Sequence, residues 1–200
     1  MLDRFYLIVD STDWLRRLLP CGLRLVQLRI KDAPEDRLRA EIARARDLCA
    51  GAGAQLVVND YWRLAIDAGC DYIHLGQEDL DDADLAAIRR AGLKLGVSTH
   101  DGAELDRALS VDPDYVALGP VYPTTLKQLT IAPQGIEPVR RWRAALGARP
   151  LVAIGGITLE RAPDVLAAGA DSIALSTDVL GAPDPESRAR QWVAATRPTA

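Results

Sequence analysis

Short apolar runs recur along the chain, with amphipathic stretches between them. The runs cover 5–9 (FYLIV), 24–30 (RLVQLRI), 55–58 (QLVV), 71–75 (DYIHL), 93–97 (LKLGV), 114–118 (DYVAL), 150–154 (PLVAI) and 171–175 (DSIAL). Most are rich in Val, Ile and Leu and alternate little, as suits strands buried on both faces of a parallel sheet. Between them, residues 37–50 place Leu38, Ile42, Ala45 and Leu48–Cys49 on one helical face with charges opposite. Residues 61–69, 83–91, 102–109 and 163–168 repeat that behaviour. Ala-Gly or Gly-Ala pairs at 52–54, 68–69, 91–92 and 168–170 lead into the next run. Glycine just past a helix end fits the left-handed C-cap. Strand–helix alternation repeated eight times predicts a (β/α)8 TIM barrel, one compact domain over residues 1–200. A doubly wound open sheet is the competing architecture, but no G-x-G-x-x-G follows the first run. One connection, 119–135 (GPVYPTTLKQLTIAPQG), is long enough to suggest a functional or moving loop; closure over bound substrates is the expectation.

Composition narrows the class. A net charge of −4, with both signs mixed along the chain, gives no nucleic-acid or membrane surface. Three cysteines, Cys21, Cys49 and Cys70, are far apart and lack metal-ligand spacing, so no disulfide framework is expected. Cys49 and Cys70 read as small core residues in helix-like stretches. The first apolar run is too short for a signal segment or membrane span. A cytoplasmic setting follows as the default. A homo-oligomer is compatible with the sequence, which does not set the oligomeric state.

The C-terminal ends of barrel strands form one face, where active sites are built. Asp10 follows the first run. Gln27, Arg29 and Lys31 share one parity along the second, so all three point to one side, inward in a barrel. Asn59 and Asp60 follow the third; Gln77, Glu78 and Asp79 the fourth; Ser98, Thr99 and His100 the fifth. Thr124, Thr125 and Lys127 follow the sixth, Gly155 and Gly156 the seventh, Ser176 and Thr177 the eighth. Two carboxylates converging with Arg and Lys suit Mg2+ and a substrate phosphate. The Gly155-Gly156 pair, read as opening the seventh helix, offers bare N–H groups to a second phosphate, with Ser176-Thr177 completing the cradle. Two anion sites on one face fit the joining of two phosphorylated small molecules.

The motifs VQLRIK (26–31), VNDYWRLAIDAGCDYIHLGQED (58–79), GVSTH (96–100), LGPVYPTTLK (118–127), APQG (132–135), PLVAIGGIT (150–158) and GADSIAL (169–175) together resemble the thiamine phosphate synthase family. The resemblance runs nearly end to end. It implies a transferase that condenses hydroxymethylpyrimidine diphosphate with hydroxyethylthiazole phosphate, releasing pyrophosphate and giving thiamine phosphate. It further implies a Mg2+-assisted dissociative substitution, in which the pyrimidine methylene becomes a carbocation before the thiazole nitrogen attacks. Carried over residue by residue, Asp60 and Asp79 are the expected Mg2+ ligands. Gln27, Arg29 and Lys31 are expected on the diphosphate and pyrimidine, Asn59 and Ser98 on the pyrimidine, and Lys127 on the diphosphate. Thr124 and Gly156 are expected on the thiazole phosphate, with Thr125, Ser176 and Thr177 beside them. Arg29, Lys31, Ser98 and Lys127 carry the expected catalytic roles.

Two positions depart from the family pattern. Leu126 replaces the second hydroxyl of a T-x-T-K motif, which Thr125 would have to supply, and Ser176-Thr177 replaces a Val-Ser pair. Plainer readings stand beside these. Asp60 and Asp79 could be helix N-caps, and Asp10, Asp32 and Glu78 are read as caps or solvated charges. His74, inside a strand, reads as a packed, hydrogen-bonded core group, while His100 at a strand end is open to a site role. Trp14, Trp62, Trp142 and Trp192 read as packing outside the barrel. The alternatives for function are a thiazole tautomerase-like isomerase and a non-catalytic ligand-binding barrel.

Overall fold

In a computed structural model, described over residues 2–124 and 132–197, the first strand pairs with both the second and the last. Leu7 aligns with Val26 on one side and with Leu175 on the other. This closes eight parallel strands in sequence order into a barrel. The strands are β1 (Phe5–Val9), β2 (Leu25–Leu28), β3 (Gln55–Asn59), β4 (Tyr72–Leu75), β5 (Lys94–Thr99), β6 (Tyr115–Leu118), β7 (Leu151–Ile154) and β8 (Ser172–Leu175). Each lies within two residues of its expected place at either end. The helices are α1 (Thr12–Leu18), α2 (Glu35–Ala52), α3 (Trp62–Asp67), α4 (Asp79–Asp82), α5 (Leu85–Arg90), α6 (Gly102–Ser110), α7 (Glu137–Leu146), α8 (Ala162–Ala167), α9 (Thr177–Leu180) and α10 (Pro185–Thr196). A closed barrel has no sheet edge, so the open doubly wound alternative is excluded.

Strand parity splits the core in two. Outward residues such as Leu7, Val9, Val26, Ile73 and Val97 pack against the helices. Inward residues form a separate cluster: Tyr6, Leu25, Val57, Tyr115, Ala117, Val152 and Ala174. Both sets are buried, which is why the strands read as near-continuous apolar runs. The glycines expected beyond helix ends, Gly53, Gly69, Gly92 and Gly169, all take positive φ. Two tryptophans seal the outer layer. Trp192 stacks on Phe5 with centroids 5.5 Å apart and donates to Asp178 Oδ2 at 2.6 Å. Trp142 donates to Thr99 Oγ1 at 2.9 Å.

The cysteine reading needs one correction. Cys49 lies in α2, but Cys70 lies in the turn between α3 and β4, where its N–H bonds Ala65 O at 2.9 Å and closes the helix. All three cysteines are free and buried. Burial pushes the Cys49 thiol up to about 12 and Cys70 to about 11, so both are inert as nucleophiles. No helix among the described residues is long and apolar enough to cross a membrane.

Candidate active site

The expected residues gather at the C-terminal face. Asp60 follows β3 directly, in the left-handed region at φ 65°. Asp tolerates that conformation better than most residues, though at some cost. Its N–H bonds His74 O at 2.9 Å, which fixes the turn against β4. Its Oδ2 lies 3.1 Å from Lys31 Nζ. Asp79 opens α4 and accepts from the Gly76 N–H at 3.0 Å. Neither carboxylate caps a helix: Tyr61 occupies the N-cap of α3 and Glu78 that of α4. Burial raises the Asp60 carboxyl above its usual value, and the neighbouring Asp79 charge raises it further against the lowering pull of Lys31. Two acids thus stand together, and a half-exposed lysine contacts one of them. Among the described residues they gain no third His, Cys, Asp or Glu as a metal-binding group.

Arg29 and Lys31 line an open cavity of about 360 Å³ with Asp10, Asp32 and Arg37. Asp10 and Asp32 cap no helix, so the solvated-charge reading holds for them. Gln27 and Asn59 are buried, at 3% and 5% exposure, on inward positions of β2 and β3. Ser98 sits one residue before the end of β5. Its carbonyl accepts from Gln77 Nε2 at 2.6 Å, and the buried Gln77 Oε1 has no partner among the described residues.

The second half of the site is a turn-on-turn contact. Val121 N–H bonds Ile154 O at 2.9 Å and Tyr122 N–H bonds Gly155 O at 3.0 Å. Gly155 and Gly156 have φ of 100° and 60°, and a Cβ on Gly156 would run into the Pro123 and Tyr122 carbonyls. The expectation that this pair opens a helix is corrected, because α8 starts only at Ala162. Its N–H groups are offered by a tight turn instead. Ser176 does stand at the N-cap of α9, with Thr177 as the first helical residue. Thr124 is half-buried at the edge of the described segment. Thr125, Leu126 and Lys127 lie outside the described residues, as does the middle of the loop expected to close. The described part of that loop is anchored by Gln134, whose Nε2 donates to His100 O at 2.6 Å.

The two histidines separate. His100 Nδ1 lies 2.7 Å from Glu104 Oε2, so its ring is committed to its own helix start. His74 is internal, as expected, with Tyr115 on one nitrogen and Ser98 on the other at 2.8 Å each. Burial lowers it to about 4, so it is neutral at pH 7. Sequence reasoning missed Tyr6 and Tyr115, which join Gln27 to His74 through their hydroxyls. The available signal was parity: both phenols fall on inward positions, where a hydroxyl must find a partner.

Residues 5–179 match the family model described as thiamine monophosphate synthase. A thiamine-phosphate synthase of Rhizobium etli is 68% identical over 197 residues, covering 98% of this chain and 97% of that one. One from Neisseria meningitidis serogroup A is 51% identical over 184 residues, covering 92% and 90%. Among solved structures, a thiamine phosphate pyrophosphorylase from Pyrococcus furiosus superposes with a TM-score of 0.86 at 29% identity, covering 96% and 95%. A 3-hexulose-6-phosphate synthase from Salmonella typhimurium, at 14% identity and a TM-score of 0.71, shares the fold.

Proposed function

The chain belongs to the thiamine monophosphate synthase family, and from that premise we propose how its own residues join a pyrimidine diphosphate to a thiazole phosphate. It is an enzyme, a transferase of thiamine biosynthesis that condenses the hydroxymethylpyrimidine and hydroxyethylthiazole moieties. Residues 1–200 are read as one such domain.

The observation that carries the site reading is the Asp60–Asp79 pair. Two carboxylates held close enough to raise the pKa of one of them favour a divalent cation between them. Their donor set is hard oxygen, few in number and open to further ligands, which fits Mg2+ completed by water and phosphate. When bound there, Mg2+ would supply charge stabilisation to a departing pyrophosphate. Arg29 and Lys31 line one cavity, and Lys31 also contacts Asp60; both would neutralise diphosphate oxygens, as would Lys127. Gln27, Asn59 and Ser98 would hold the pyrimidine. Thr124, Thr125, Gly156, Ser176 and Thr177 would hold the thiazole phosphate.

Leaving-group stabilisation rather than a strong base is the chemistry these groups suit. His74 is neutral and internal, and His100 is tied to Glu104. That supports a dissociative substitution, in which the C–O bond to pyrophosphate breaks before the thiazole nitrogen adds. The free, buried thiols fit a reducing compartment, and we place the enzyme in the cytoplasm. Calorimetric titration with Mg2+ and inorganic pyrophosphate together tests the metal site. Wild type should bind the pair, and Asp60→Asn should bind it at least tenfold more weakly. Equal affinity would remove Asp60 from the site.

A further inference from the structure

A line of hydrogen bonds crosses the barrel lumen between Gln27 and Ser98. Gln27 Nε2 donates to the Tyr6 hydroxyl at 2.8 Å. The Tyr6 and Tyr115 hydroxyls are 3.0 Å apart. Tyr115 reaches His74 Nδ1 at 2.8 Å, and His74 Nε2 reaches Ser98 Oγ at 2.8 Å. Both ends lie near the C-terminal ends of their strands: Gln27 is the penultimate residue of β2 and Ser98 the penultimate residue of β5.

Counting protons gives the line a direction. The Tyr6 oxygen accepts from Gln27, and Tyr115 is the remaining partner of that hydroxyl among the described residues, so the buried Tyr6 proton is satisfied by going to Tyr115. The Tyr115 oxygen then accepts, and its proton goes to His74 Nδ1. A neutral imidazole that accepts at Nδ1 carries its proton on Nε2 and donates to Ser98 Oγ. Ser98 is left with its hydroxyl proton to give away, and Gln27 with its carbonyl oxygen to accept. Every donor points the same way, which strengthens each bond through the next.

The lumen is shaped for this line. Any Cβ at Gly96 would overlap the Tyr115 ring, so the phenol reaches His74 only across a glycine. The Tyr115 ring lies nearly parallel to that of His74, at 20° and 5.6 Å between centroids. Two phenylalanines would fill the same space without two buried phenols to satisfy.

We propose that Tyr6, Tyr115 and His74 are positioning residues that set Ser98 as a donor and the Gln27 carbonyl as an acceptor, so that the site selects an aminopyrimidine over its oxo analogue. This rests on the assignment of Gln27 and Ser98 to the pyrimidine. An aminopyrimidine offers a ring-nitrogen acceptor and an amino donor, the complement of the two ends. An oxo ring replaces the amino donor by an acceptor, and the Gln27 carbonyl then loses its partner. The set direction resists reversal, because all five residues would have to reverse together.

The test compares wild type with Tyr115→Phe, which keeps the ring and removes the hydroxyl, and with Tyr6→Phe, which cuts a second link. Steady-state rates are taken with the aminopyrimidine diphosphate and its oxo analogue. Each variant should lose on the order of tenfold in kcat/KM for the amino substrate and show a smaller amino-over-oxo preference. Added to Ser98→Ala, Tyr115→Phe should cost little more, because the line's output is already gone. Additive losses, or an unchanged preference, would overturn the proposal. Nitrogen-15 NMR of the His74 ring supplies a readout that needs no turnover. The Nε2–H tautomer is expected, and the Nδ1–H tautomer or a charged ring would overturn the direction. A wild type that turned over neither diphosphate would sink the functional reading instead, and the tautomer would still decide the line.

Discussion

Lys31 Nζ stands 3.1 Å from Asp60 Oδ2, tying the segment after β2 to the turn after β3. Lys31 is half exposed, at 51%, while Asp60 is largely covered, at 16%. Such a pair adds less than about 1 kcal/mol to stability, so its position matters more than its strength. Lys31→Ala should leave chemical denaturation nearly unchanged and lower kcat/KM for the pyrimidine diphosphate on the order of tenfold. A stability loss as large as the activity loss would make the lysine structural.

Asp79 should show the opposite balance between stability and function. Its charge raises the Asp60 carboxyl, an unfavourable contact in the metal-free protein. Asp79→Asn keeps an oxygen for the Gly76 N–H and removes the charge. The metal-free variant should melt a few degrees higher, about 2–4 °C for each kcal/mol relieved, and should lose Mg2+-dependent turnover. A lower Tm would show that the repulsion is not felt.

Gly156 should separate the two halves of the site. At φ 60°, and with two loop carbonyls where a Cβ would go, Gly156→Ala must displace the turn after β7 or the one after β6. The cost is on the order of 1–3 kcal/mol. The KM for thiazole phosphate should rise severalfold while pyrophosphate affinity in the presence of Mg2+ stays within twofold. Equal damage to both ligands would argue against two separate anion sites.

His74 gives a pH dependence with a definite sign. Its folded pKa lies near 4, below the ordinary 6.5, because burial disfavours the imidazolium. The unfolded chain therefore binds the extra proton first. The contribution of the neutral ring is fully present above pH 6.5 and is lost as pH falls from 6.5 toward 4. It amounts to about 3 kcal/mol over that window. Wild type should lose stability between pH 7 and pH 5, and His74→Gln should lose less over the same range. Parallel curves would mean that the ring takes up its proton at the same pH folded as unfolded, so that burial does not depress it.

Strands were legible almost residue by residue, because a parallel barrel buries both faces and leaves unbroken apolar runs such as LVQL and SIAL. The Asp60 and Asp79 pairing was legible from two polar clusters at like ends of neighbouring strands. The turn holding Gly156 was not. A Gly-Gly pair reads equally well as a helix opening, and only the packed carbonyls of Tyr122 and Pro123 distinguish the two. Cys70 reads as helical from sequence because it lies three residues past α3 and its N–H still bonds back to Ala65 O. Tyr6 and Tyr115 were hidden for another reason. A tyrosine in an apolar run looks like core, and its hydroxyl partners come from strands far away in sequence, 109 residues apart for this pair.

The measurement closest to the central claim is pyrophosphate release from purified protein, with thiamine phosphate followed in the same sample. It would use hydroxymethylpyrimidine diphosphate, thiazole phosphate and Mg2+, with each component omitted in turn and with Asp60→Asn and Asp79→Asn alongside. The account predicts that release requires both substrates and Mg2+, and that each variant loses at least a hundredfold in rate. Thiamine phosphate formed at wild-type rate by either variant would contradict it.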